Sequence, residues 1–100
     1  MGAESSVPPS CARGTVEVEL YGLPRLYAGG ECCRVAAGTL SEVLAALVVL
    51  YPGLSPALIN GAMPTDLLRV ALDGGEMIEA SDHVLCAGSV LVLVSAQAGG

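Results

Sequence analysis

The chain ends Ser95-Ala96-Gln97-Ala98-Gly99-Gly100, a stretch without an aromatic, charged or β-branched side chain that directly follows the apolar run VLVLV, 90–94. Glycine lacks a Cβ, so Gly99 and Gly100 permit close backbone approach and conformations closed to other residues. A narrow channel in a partner would demand both properties. Extended, the six residues reach about 20 Å. At their end sits a carboxylate that ATP can convert to an acyl-adenylate. A sulfur nucleophile would turn that adenylate into a thiocarboxylate, and an amine would turn it into an amide.

The other candidates for chemistry are four cysteines, Cys11, Cys32, Cys33 and Cys86, and one histidine, His83. The His83-x-x-Cys86 spacing invites a zinc site with Cys32 and Cys33. Adjacent residues on a strand point to opposite faces, however, and do not readily share one tetrahedral ion. No metal is expected, and the irregular spacing disfavours a disulfide framework, which leaves the cysteines as small buried apolar thiols. His83 has no nucleophile paired with it and no Gly-rich phosphate loop follows a strand, so no enzyme of its own is expected here.

Few elements are needed to hold such a tail. Residues 1–14 (MGAESSVPPSCARG) show no periodicity and read as a flexible leader. TVEVELY, 15–21, alternates Val16, Val18 and Leu20 with Glu17, Glu19 and Tyr21, the pattern of a strand with one buried face. GLPRLYAGGE reads as a loop and CCRVA, 32–36, as a second strand making a hairpin with the first. Thr39-Leu40-Ser41-Glu42 forms a capping box that opens a helix. Leu40, Val43, Leu44, Leu47, Val48 and Tyr51 make its apolar stripe, and Pro52-Gly53 stops it. Residues 54–66 read as a loop with one helical turn around 56–59. LLRVALD, 67–73, reads as a strand, Gly74-Gly75 as a tight turn, EMIEA as a short strand, SDHVLCAGS as a loop and VLVLV as the last strand.

That last strand is apolar on both faces and belongs in the middle of a sheet. The order β-β-α-β-β-β with the final strand beside the first predicts an α+β, β-grasp (ubiquitin-like) domain over 15–94. Its mixed sheet has four to five strands and one main helix packed on one face. The tail is 95–100. With the helix on one face, either Leu91 and Leu93 or Val90, Val92 and Val94 are left on the other, together with Tyr21. The leader or the 54–66 loop covers that face, or it is an apolar patch for a protein partner.

Composition sets the partner classes. Apolar residues make up 53% of the 100 residues, aromatics only 3%, and the net charge is −6. An acidic surface repels phosphate backbones, so no nucleic acid is expected, whereas a basic docking surface would suit it. No apolar run is long enough for a membrane. The first residues lack the basic and apolar regions of a signal peptide, which makes the cytoplasm the expected compartment. All four basic residues are arginine: Arg13, Arg25, Arg34 and Arg69.

Taken together, VEVELYGLPRLYAGG, the capped helix running into YPGL, and the terminal AGG resemble the MoaD/ThiS group of ubiquitin-like sulfur carriers over residues 15–100. The branch it looks most like is the small subunit of molybdopterin synthase. The resemblance implies ATP-dependent adenylation of Gly100 by an E1-like adenylating enzyme, conversion to a thiocarboxylate, and sulfur donation within a sulfur-accepting synthase subunit. No cofactor is bound by the carrier itself, since the partner uses the ATP. Arg25 matches an Arg of that family's first loop, and Tyr21, Val94 and Met77 fall at partner contacts, with Ala98 in the tail. Molybdopterin carriers usually place two prolines where this chain has Ser95-Ala96. Its ending looks closer to carriers serving cysteine, thiamin or natural-product chemistry. A ubiquitin-like modifier of protein lysines and a β-grasp interaction module with an idle tail are the competing readings.

Overall fold

The computed structural model describes residues 14–73 and 75–96, so the leader up to residue 13, Gly74 and the last four residues lie outside it. Strand β1 (Thr15–Leu20) pairs antiparallel with β2 (Cys32–Ala36), with Val18 opposite Cys33. On its other side β1 runs parallel to the last strand, Val90–Ser95. That last strand also pairs antiparallel with the strand Leu68–Leu72, giving a mixed four-stranded sheet with the chain's end strand and first strand at its centre. This is the expected β-grasp arrangement, with the main helix on one face.

The helix owes its position to its ends and its stripe. Thr39 Oγ1 accepts from the Glu42 amide at 3.2 Å while Glu42 Oε1 accepts from the Thr39 amide at 2.9 Å, the reciprocal box read from the sequence. Leu40, Val43, Leu44 and Leu47 are then fully buried on the sheet, and the helix ends at Leu50. They meet Val16, Val18, Leu20, Leu91 and Leu93 in a single aliphatic core. The alternation in VLVLV is thereby resolved: Leu91 and Leu93 face the helix, and Val90, Val92 and Val94 lie half-buried on the opposite face.

Four local readings differ from what forms. GLPRLYAGGE is not all loop: Leu23–Ala28 is a short helix, α1, and Leu40–Leu50 is therefore α2. Its punctuation is helical, with Pro24 in the first turn and Gly29 at φ 78° closing the last turn through a bond to the Arg25 carbonyl. Six residues form no helix alone, and packing of Pro24, Leu23 and Ala28 on the core supplies the stability. A 3-10 turn forms at Pro52–Leu54, where Gly53 has no room for a Cβ against the Tyr27 carbonyl, and the helical turn expected around 56–59 follows it over 55–58, the Leu58 amide donating to the Leu54 carbonyl at 3.0 Å.

Residues 54–66 also hold a small hairpin, β4 (Ile59–Asn60) with β5 (Met63–Pro64), and Leu68–Leu72 is β6. Leu54, Leu58 and Ile59 are buried in the helix-side core, so this segment does not cover the opposite face of the sheet. EMIEA shrinks to one bridge, Met77 to Ala71, flanked by the bonds from the Leu72 amide to the Glu76 carbonyl and from the Ile78 amide to the Val70 carbonyl, with Ile78 buried at 3% exposure. Within SDHVLCAGS, Val84–Leu85 (β7) pairs with β3 (Gly38–Thr39), and β8 is the last strand.

Leu47 sits mid-stripe with no exposure. Leu47→Ala should cost about 2–5 kcal/mol, read as a lower urea midpoint, with a far smaller change for the exposed Val49→Ala.

Candidate functional site

The site is built where β8 ends. Ser95 is still paired, opposite Leu68, and the Ala96 amide donates to the Leu67 carbonyl at 2.8 Å. One side-chain bond reinforces the root of the tail: the Leu23 amide donates to Ser95 Oγ at 2.7 Å. Gly22 offers α1 no side-chain cap, so the serine caps the helix from the far end of the chain. The contact is close, since a Cβ on Gly22, itself at φ 70°, would collide with Ser95 Oγ. The backbone beyond Ala96 therefore starts from a point fixed to β6, to α1 and to β1, whose next residue donates from the Tyr21 amide to Leu93 at 2.9 Å.

Beside this root, the face of the sheet away from the helix carries an apolar band. Tyr21 is 48% exposed and follows directly on Leu20, which pairs with Leu93 next to Val94. Val92 lies between Glu19 and Ala71, and Ala71 bridges to Met77, itself 44% exposed. Tyr21, Val94, Val92 and Met77 thus occupy one surface. Tyr21 donates its hydroxyl to Glu19 Oε1 at 2.8 Å, and that hydrogen bond, with the carboxylate's charge behind it, raises the phenol above its ordinary range. The hydroxyl is thereby held while about half of the residue stays open to solvent. Glu17, Glu19, Arg34 and Arg69 border the band.

Arg25 is not on the band. It stands on α1, donating to Glu31 Oε2 at 2.7 Å in an exposed ion pair, and shares a shallow depression with Tyr21, Glu19, Glu31 and Cys32. Ala98, Gly99 and Gly100 lie outside the described residues. Neither Ser95 nor Val92 was singled out by the sequence. Ser95 looked like the first residue of a featureless tail, and its partner is 72 positions away. Val92 carried a signal, the two-sided apolar run, which did not say which side would be covered.

No protein-family model and no curated protein matches the sequence. Solved structures do. The crystal structure of small archaeal modifier protein 1 from Haloferax volcanii superposes with a TM-score of 0.72 at 28% identity, covering 87% of this chain and 100% of that one. The molybdopterin converting factor subunit 1 (so described, as putative) from Pyrococcus furiosus gives 0.67 at 12% identity, covering 82% and 97%. This chain has the ubiquitin-like β-grasp fold of the MoaD/ThiS-type sulfur carriers. The small archaeal modifier protein 1 from Methanosarcina acetivorans shares it, with a TM-score of 0.72 at 18% identity over 88% and 98%.

The cysteines of this β-grasp chain are not the buried thiols the sequence led one to expect. Cys32 is an exposed free thiol, Cys33 is a half-buried one, and Cys86 is disulfide-bonded. Spacing along a chain does not tell which cysteines a fold brings within bonding distance. Cys11 lies outside the described residues. Burial raises the Cys33 thiol, and a hydrogen bond with Tyr51 works against that rise. Among the described residues, no group of three or more His, Cys, Asp or Glu side chains is placed to hold a metal ion, and no helix is long and apolar enough to cross a membrane.

Ser95→Ala should leave the sheet intact and free the Leu23 amide. Hydrogen exchange at Leu23 should accelerate while Val18 stays protected, with a stability loss of about 1 kcal/mol. Ser95→Thr should retain most of the protection.

Proposed function

We propose that this protein is a sulfur carrier whose C-terminal Gly100 carboxylate is adenylated by an E1-like enzyme and then converted to a thiocarboxylate. The observation that carries this reading is the root of the tail. A central strand pinned on both sides and capped by Ser95 to α1 ends beside an apolar band, and three residues then lead to Gly-Gly. In the adenylation step a Gly100 oxygen attacks the α-phosphorus of ATP and pyrophosphate leaves. A sulfur nucleophile next attacks the acyl carbon, and AMP departs. The ATP belongs to the activating enzyme, and the carrier contributes the carboxylate and its delivery.

The remaining residues take roles by position. Tyr21, Val94 and Met77, with Val92, form the docking band for the activating enzyme and afterwards for a sulfur-accepting synthase subunit. Arg25 and its depression flank that surface. Ala98 and Gly99 are the slender segment that would enter the enzyme's channel. The expected setting is the cytoplasm, with neither nucleic acid nor membrane as partner.

A second reading, a protein modifier joined through Gly100 to lysines, draws on one observation. The modifier protein of Haloferax volcanii shares 28% identity with this chain, against 12% for the molybdopterin converting factor subunit. Both readings share the same adenylate.

Incubation with ATP, the activating enzyme and sulfide followed by intact mass separates them. A carrier gains the difference between sulfur and oxygen, a modifier yields heavier conjugates with proteins, and an unchanged mass contradicts both. A chain extended by one Ala beyond Gly100 should keep its circular dichroism spectrum and form no adenylate, because the carboxylate no longer follows the glycines.

Val94→Asp or Tyr21→Asp should weaken binding to the activating enzyme roughly tenfold or more, since the contact would have to desolvate a charge in place of an apolar side chain. The thermal midpoint should move little. Unchanged affinity by titration would remove the band from the interface.

A further inference from the structure

An acyl group activated at Gly100 is an electrophile on a tether, and the structure shows what lies within its reach. From Ala96, four residues span at most about 14 Å. Ala96 bonds to Leu67, and Arg69 is the register partner of Val94 on the same face, so the α-carbons of Arg69 and Ala96 are about 8 Å apart by strand geometry. Arg25 stands two residues beyond Leu23, whose amide holds Ser95 Oγ, placing it about 10 Å from the root by helix rise. Arg34 is different. It sits two strands from β8 and pairs with Glu17, which pairs with Val90, at the far end of the strand. Its α-carbon is about 22 Å from Ala96, beyond the tail and a side chain combined.

Among the described residues, both cationic positions within reach therefore carry guanidinium groups. The sequence contains no lysine, and its other amine is the α-amine of the first residue. A lysine ε-amine is a nucleophile in its neutral form, whereas a guanidinium stays protonated and does not attack. An amine at position 69 would form a C–N bond to the Gly100 acyl carbon as the activating group leaves, releasing one proton to solvent. The product would be a lactam, a carrier closed on itself and lost to sulfur transfer.

We propose that Arg25 and Arg69 preserve the positive charge beside the root of the tail while protecting the activated C-terminus from self-acylation. This inference rests on the carrier reading above, in that it presumes an activated Gly100. It also defines the acceptor: a side-chain amine must come from another molecule, and copies of this chain cannot join to one another through side-chain amines.

The test uses the full chain carrying a C-terminal thioester at Gly100, generated by intein cleavage, so that activation requires no enzyme. Wild type, Arg69→Lys, Arg25→Lys and Arg34→Lys are incubated at rising pH and followed by intact mass. Hydroxylamine is added before analysis to clear any thioester formed with Cys32. Wild type should return only the hydrolysed chain and, from thioester still present when hydroxylamine is added, the Gly100 hydroxamate. Arg69→Lys and Arg25→Lys should give a hydroxylamine-resistant species lighter than that chain by one water, mapped by tandem mass spectrometry to a bond between Gly100 and the new lysine. Its yield should rise with pH as the amine loses its proton. Arg34→Lys should form it roughly tenfold or more slowly, since proximity is lost. Equal behaviour of all four proteins, or a comparable lactam at the α-amine of wild type, would overturn the proposal. Failure of the carrier reading shows elsewhere, as absence of an adenylate with ATP and the activating enzyme, and leaves the thioester result standing.

Discussion

The pairing of β8 on both of its edges is the constraint from which the rest follows. A strand that closes the chain is ordinarily free to fray, since terminal residues lose little by disorder. Here it runs parallel to β1 from Val90 to Leu93 and antiparallel to β6 from Leu91 to Ser95, and two of its leucines lie in the core. Loosening it would open the sheet at its centre. The Leu23–Ser95 bond then extends that order by one side chain at the last paired residue. The order therefore runs up to Ala96, and the chemistry expected of Gly100 is delivered from a fixed origin.

The same constraint produces the proposed docking surface. A central strand must be apolar toward the helix, and its other face is shielded only by its neighbours on β1 and β6. Glu17 and Glu19 flank it on one side and Arg69 and Ala71 on the other. Valines there leave a half-buried band that Tyr21 and Met77 widen. Apolar surface is unremarkable when scattered, and contiguity beside the tail is what motivates the proposed partner contact. With a net charge of −6, a basic rim on the partner would favour encounter, and the apolar band would hold the complex.

Much of this was legible wherever local chemistry decides the outcome. The alternation in TVEVEL, the Thr39–Glu42 box and the stripe from Leu40 to Leu47 are local signals, and each element formed with nearly the expected bounds. The two-sided run 90–94 placed the last strand at the centre, because no edge would tolerate it. What escaped was set by distant contacts. Helix α1 is six residues long and exists through packing and a cap from Ser95. Met77 was legible as a member of a strand, yet the pairing there is one bridge to Ala71. The disulfide at Cys86 depends on which cysteines the fold brings together. Glycines were read as loop where Gly22 and Gly29 in fact bound a helix.

The central claim is that Gly100 is a carboxylate made to be activated. Exchange of labelled pyrophosphate into ATP tests it most directly, because it reports reversible adenylation before any sulfur or acceptor is involved. With the activating enzyme present, exchange should depend on this chain, saturate with its concentration, and vanish when Gly99 and Gly100 are deleted. Exchange of equal rate with the truncated chain, or none with the intact one, would contradict the account.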